Sequence, residues 1–210
     1  MIKIKKENAL RRIFLACCGF AIIGFSVAAL RVLALGVDPL GAMTLGFSML
    51  TGVSFGIVLL LIHLPVFLVM LWRARELIGI GTVVGMIGIG FATDFFYWVF
   101  SFLPIAEWDV VVRVVLLVVT IVIFAFGVAL YTVAEIGMVP FDAIGLMVEK
   151  FSGGKVKFRW GRLAMDGVCA LTAFLLSAPL GVATILTVAG LGPLIGFFMG
   201  QLKKRLLLTA

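Results

Sequence analysis

Long apolar runs, broken by short polar clusters, divide the chain into six segments of about 10–34, 54–75, 78–103, 109–134, 158–178 and 182–202. Each is long enough to cross a membrane as a helix, since about 20 residues at 1.5 Å each cover a ~30 Å hydrocarbon core. The breaks are Arg73-Ala74-Arg75-Glu76, Pro104-Ile105-Ala106-Glu107-Trp108-Asp109, Ser152-Gly153-Gly154-Lys155 and Ala178-Pro179-Leu180-Gly181. Two further segments, each about 12 residues and too short to span, open on Pro39 and Pro140, where a missing N–H suits a helix's first turn. Leu40, Met43, Phe47 and Leu50 follow at helical spacing, as do Phe141, Ile144, Val148 and Phe151. Each short segment reads as an interfacial or re-entrant helix. The fold class is all-α and polytopic, with residues 1–210 forming one membrane domain.

The pattern occurs twice. Gly36 and Pro39 recur as Gly137 and Pro140, and the match extends through Phe25/Phe126, Val27/Val128, Ala28/Ala129 and Ala42/Ala143. One residue of slippage later, Gly79, Thr82, Phe95 and Phe96 recur as Gly181, Thr184, Phe197 and Phe198. Repeat one covers 10–103 and repeat two 109–202. Each holds three spans, an odd number, so the second copy is expected upside down relative to the first, as in many transporters. The glycines of the third and sixth spans (Gly81, Gly85, Gly88 and Gly90; Gly190, Gly192, Gly196 and Gly200) would let these repeat mates cross near the pseudo-two-fold axis.

Composition agrees with the membrane reading: 64% of residues are hydrophobic and only 13% charged. A net charge of +7 can signal nucleic acid, but the basic residues sit at segment ends, not along one face, so no nucleic-acid partner is expected. With both termini cytoplasmic, the clusters around Lys3, Arg12, Arg73, Lys150, Lys155 and Lys203 all fall inside, leaving Arg31 and Arg113 outside. The basic start, Met1 to Arg12, precedes an apolar run too long for a cleavable signal, which reads as an uncleaved first span. Cys17, Cys18 and Cys169 lack metal-site spacing and read as buried small hydrophobes. No metal or other cofactor is expected.

Charged groups at membrane depth are costly, by ~2.5–3.5 kcal/mol or more, and face a bundle interior or a hydrated cavity. His63, the one histidine, and Asp94 fall at similar depths on neighbouring spans. They are expected to pair, as a proton relay or a substrate contact; the alternative is that each bonds a backbone carbonyl or a hydroxyl such as that of Thr93. Asp166, four residues after Arg162, shares its helix face and reads as an intrahelical ion pair or a solute-facing carboxylate. Arg31 and Glu135 lie near helix ends, where they can snorkel, and Arg31 can also reach Asp38. Asp142 in the first turn after Pro140 reads as a dipole-complementing cap, a role Asp38 can fill before Pro39.

No HExxH, Walker A loop or paired-carboxylate motif is present, so no enzymatic activity is expected. One span, then Leu35-Gly36-Val37-Asp38-Pro39, a short helix and Thr51-Gly52-Val53-Ser54-Phe55-Gly56 resembles the YczE/YyaS/YitT family of bacterial membrane proteins, a largely uncharacterised group. Gly137-Met138-Val139-Pro140-Phe141-Asp142 matches that family's G-x-x-P-x-D pattern, while Ser152-Gly153-Gly154-Lys155 departs from its second T-G-x-S. The resemblance, from about Arg11 to Leu202, implies a multi-pass protein of the bacterial inner membrane. Movement or binding of a small solute or ion is the expected function, with His63, Asp94 and Asp166 as its pathway. A membrane scaffold or regulatory subunit is the alternative. The partners are then the lipid bilayer, a small-molecule or ion substrate, and a second copy or partner membrane subunit.

Overall fold

A computed structural model describes the backbone of residues 9–207 and the side chains of residues 9–205; Lys3, Lys5 and Lys6 of the basic start lie outside the described residues. Among the described residues the regular structure is entirely helical: α1 Ala9–Leu33, α2 Pro39–Thr51, α3 Phe55–Arg73, α4 Ile80–Phe100, α5 Val110–Ala134, α6 Pro140–Phe151, α7 Phe158–Leu175 and α8 Val182–Leu207. The six long helices fall on the six apolar runs and α2 and α6 on the two proline-led segments. Five of them, α1, α3, α4, α5 and α8, are long and apolar enough to cross a membrane. α7 is set apart by Arg159, Arg162 and Asp166. The chain is a multi-pass helical membrane protein.

Small residues decide which helices come closest. α1 and α5 run antiparallel at the centre: Arg12 meets Glu135 at 3.5 Å at one end, and further along Gly19 faces Gly127 and Tyr131. Ala16, Ala28, Ala125 and Ala129 of these two helices are fully buried, small side chains that let packed helices approach closely. α4 packs against α1, with Gly24 against Ala92 and Phe25 edge-on to Phe96 at 5.4 Å. α8 packs against α5, where Phe126 meets Phe198 edge-on at 5.5 Å. The expected crossing of the third and sixth spans is not formed: α4 lies on α1, α8 on α5, and the two share no substantial interface. The glycines explain why. Gly81, Gly85 and Gly90 of α4 pack closely on Ile136, on Val139 with Phe20, and on Gly56, whereas Gly190, Gly192, Gly196 and Gly200 of α8 face open space.

The repeated motifs meet crosswise. After α1, Gly36 takes φ +93°, and after α5, Gly137 takes φ +123°, both in the region that only glycine enters freely. The Ile136 carbonyl ahead of Gly137 accepts from the Gly81 N–H at the start of α4 at 2.9 Å, and the Leu35 carbonyl ahead of Gly36 accepts from the Ala183 N–H at the start of α8 at 3.0 Å. At each junction a threonine hydroxyl caps the incoming helix: Thr82 accepts from the Gly79 N–H and Thr184 from the Gly181 N–H, both at 3.1 Å.

α2 and α6 pack with α3 and α7 beside this row. α2 is started by Asp38, whose Oδ2 accepts from the Gly41 N–H at 3.0 Å, and stopped by Gly52 at φ +71°. It buries Pro39, Gly41, Ala42, Thr44 and Gly46 and leaves Met49 and Leu50 exposed. In a bilayer large apolar side chains lose nothing by facing lipid, so the small face becomes the interface.

Candidate functional site

Arg162, near the start of α7, organises a charged cluster. Helical spacing places Asp166 one turn on, where its Oδ1 lies 3.4 Å from the Arg162 Nε. The other side of the guanidinium pairs with Asp142 in the first turn of α6, and its carbon sits 4.6 Å from the centre of the Phe141 ring. Asp142 also accepts a hydrogen bond from the Tyr131 hydroxyl near the end of α5. Pro140 starts α6, and the Gly137 turn before it folds Asp142 back towards Tyr131. From α3, His63 lies within electrostatic reach of Asp142; from the start of α2, Asp38 lies within reach of Arg162 and Asp166. Cys169, buried one turn beyond Asp166, borders the same region.

Two members lack partners. His63 is 2% exposed and neither ring nitrogen has a hydrogen-bond partner. Asp38 is 8% exposed and its Oδ1 is likewise unpartnered. Burying a polar group without a hydrogen bond costs roughly 2–7 kcal/mol, depending on the reference state. Two carboxylates flank the one guanidinium and a third, Asp38, lies within its electrostatic reach; this carboxylate with no ion pair is the most buried.

Burial pushes the Asp38 carboxyl up to about 6, opposed by the Gly41 N–H, reinforced by the Asp166 charge and opposed again by Arg162. Because this lies above the ordinary value, the folded protein binds a proton that the unfolded chain has released. The contribution of Asp38 to stability should thus be fully present below about pH 4 and lost as pH rises through about 6. Asp38→Asn keeps an oxygen for the Gly41 N–H and removes the charge. Thermal unfolding of the two proteins across pH 4–7 should show the slope in the parent and its loss in the variant. Equal slopes would contradict this.

The other expected residues fall elsewhere. The His63–Asp94 pair is not formed: the Gly56 N–H donates to Asp94 Oδ2 at 2.9 Å, and Arg31 lies 3.7 Å from Oδ1. The register of α3 on α4 sets Gly56, in the first turn of α3, against Gly90 and Asp94, which carries His63 two turns past them. Arg31 neither snorkels nor reaches Asp38. Its side chain is 10% exposed, 3.7 Å from the Tyr97 ring centre and 4.9 Å from that of Phe55. Glu135 does reach the surface, holding Arg12. Asp142 does stand in the first turn of α6, where a carboxylate complements the dipole, but it makes no capping hydrogen bond: its oxygens go to Tyr131 and Arg162; Asp38 does cap α2. Gly36, Pro39, Gly137 and Pro140 shape the two junctions.

Sequence reasoning did not link Tyr131 to the cluster, although a polar ring one turn before a helix end is a usable signal. Gly52-Val53-Ser54-Phe55-Gly56 also has the spacing of a G-x-S-x-G nucleophile elbow. That motif needs a strand before the serine, whereas Ser54 caps α3 and accepts from the Ile57 N–H at 3.5 Å. Among the described residues no three of His, Cys, Asp and Glu are placed to hold a metal ion. Two surface hollows, one along Phe174, Ser177 and Pro179 and one along Phe47, Val58 and Leu61, include none of the cluster's residues.

A helical membrane protein with a charged cluster among its packed helices is the class these features define. The chain belongs to a family of unknown function, DUF6198, whose model matches residues 10–200. It is similar to the uncharacterized membrane protein YczE of Bacillus subtilis (strain 168), at 27% identity over 122 residues. That similarity covers 58% of this chain and 54% of the relative, so the chain spans about half the length of the curated protein it matches. No solved structure matches.

Proposed function

We propose that the protein binds a small solute or ion at the Asp38–His63–Asp142–Arg162–Asp166 cluster and carries it across the bacterial inner membrane, without catalysing a reaction. One observation carries this reading: His63 and Asp38 present unpartnered polar atoms in a buried, charged setting, and ionisable groups at membrane depth mark substrate and proton pathways. Where the cluster falls in the membrane depends on topology. We take α7 as a sixth span and the two halves, α1–α4 and α5–α8, as antiparallel copies with both termini inside. This assignment is supported by the junctions. It puts Leu35 and Ala183 on the outer face and Ile136 and Gly81 on the inner face, so that every hydrogen bond between copies joins groups on one side. A chain with α7 left at the inner surface would separate Leu35 from Ala183 by the thickness of the bilayer. The cluster then lies between α2 and α6, the short helices, as expected for a site at a repeat interface.

Cysteine labelling tests the reading. On a background with Cys17, Cys18 and Cys169 replaced, His63→Cys should react with a charged, membrane-impermeant thiosulfonate. Leu61→Cys, on the exposed apolar side of the same helix, should react far more slowly, since thiols ionise only in contact with water. Equal, slow labelling at both positions would remove the hydrated site and leave a scaffold role.

A further inference from the structure

The next step rests on the reading of the cluster as a solute site and concerns what that site accepts. We propose that the solute is an organic cation, a protonated primary amine whose ammonium group sits against Asp38. Charge and hydrogen-bonding capacity both lead there. Asp142 and Asp166 share Arg162 as their counter-ion. Asp38 has the Gly41 N–H on one oxygen and no partner on the other. With three carboxylates and one guanidinium the cluster is therefore short of two positive charges, and Asp38, the most buried carboxylate, is the one with no ion pair.

The unpartnered atoms are also mainly acceptors. An ionised Asp38 accepts only, and neutral His63 offers one acceptor nitrogen and one donor. A primary ammonium brings three donors and no acceptor, so it satisfies the unpartnered Asp38 oxygen with N–H left for neighbouring acceptors. An anion would find a single guanidinium already committed to two carboxylates. Among the described residues no three His, Cys, Asp or Glu side chains are grouped as a transition-metal site would need. Arg162 is itself a built-in example: an organic cation held between carboxylates with Phe141 against its face. Protons compete for the same oxygen. The groups facing Asp38 are Arg162, Asp166 and Cys169 of α7 and the Gly41 N–H of its own helix. Lowering the pH fills Asp38 with a proton and should weaken amine binding.

The test is thermal unfolding of the full chain in detergent at equal ionic strength, with ethylammonium, tetramethylammonium or sodium as the chloride, and sodium acetate. Ethylammonium should raise the midpoint at pH 7.5 by about 3–6 °C over sodium. Tetramethylammonium, which has the charge but no N–H, should match sodium. The ethylammonium effect should shrink at pH 5, vanish in Asp38→Asn and persist in Asp38→Glu. Should Asp38→Asn not fold, the comparison of the two ammonium ions and the loss of response at pH 5 in the parent protein still decide. Equal shifts from all three cations, an undiminished response in Asp38→Asn, or stabilisation by acetate instead would overturn the amine. None of these touches the solute-site reading, which stands or falls on labelling at His63→Cys.

Discussion

Gly79→Ala and Gly181→Ala should each destabilise the protein by about 3 kcal/mol or more, among the largest effects of a single methyl group. An added Cβ at Gly79 would lie 2.0 Å from the Ile136 carbonyl oxygen, and one at Gly181 2.4 Å from that of Leu35. Neither oxygen can retreat cheaply, because each accepts the hydrogen bond that starts α4 or α8, at 2.9 Å and 3.0 Å. Relief therefore requires moving a helix or breaking its first bond. Gly190→Ala and Gly88→Ala, at positions with nothing within 4 Å, provide the controls. They should be neutral or slightly stabilising, because alanine favours the helix by roughly 0.5–1 kcal/mol. Thermal unfolding in detergent separates the two pairs; similar losses in all four would mean that the crossing is not the constraint.

Arg162→Met should be comparably severe for an electrostatic reason. It leaves Asp142 and Asp166 without their shared counter-ion, and breaking a buried pair from one side costs roughly 3–5 kcal/mol. The side chains here are 13–31% exposed, so the lower end, about 3 kcal/mol, is expected. The diagnostic result is rescue. Arg162→Met combined with Asp142→Asn and Asp166→Asn should recover most of the loss, because neutral amides no longer need a cation. A loss under about 1 kcal/mol for the single variant, the range of exposed pairs, or no recovery in the triple, would remove Arg162 from the centre of the cluster.

How much of this could be read from the chain depended on distance along it. The six long helices and the two proline-led ones were legible because hydrophobic runs and Pro39 and Pro140 are local signals. The Arg162–Asp166 pair was legible because four residues on a helix is a fixed geometry. Arg31 with Asp94 was not, since their meeting depends on how α1 lies along α4, and nothing local to either residue encodes that. The same holds for His63: its depth was readable, but its neighbour was set by the register of α3 on α4, where Gly56 and Gly90 approach closely. The glycine-rich face of α8 pointed to packing that α1 and α5 in fact make, because many small residues mark a helix that can approach another without saying which one. Asp38 looked like a helix cap and is one. Its unpartnered Oδ1 became visible only when α2 and α7 were seen to pack together.

Everything proposed for the cluster requires α7 to cross the membrane, the one long helix whose charges obscure that role. Reporters fused in the α6–α7 turn, after Lys155, and in the α7–α8 turn, after Pro179, test this most directly. The six-span arrangement places the first inside and the second outside. Both reporters on the same side would leave Arg162 and Asp166 at the membrane surface and contradict a solute site in its interior.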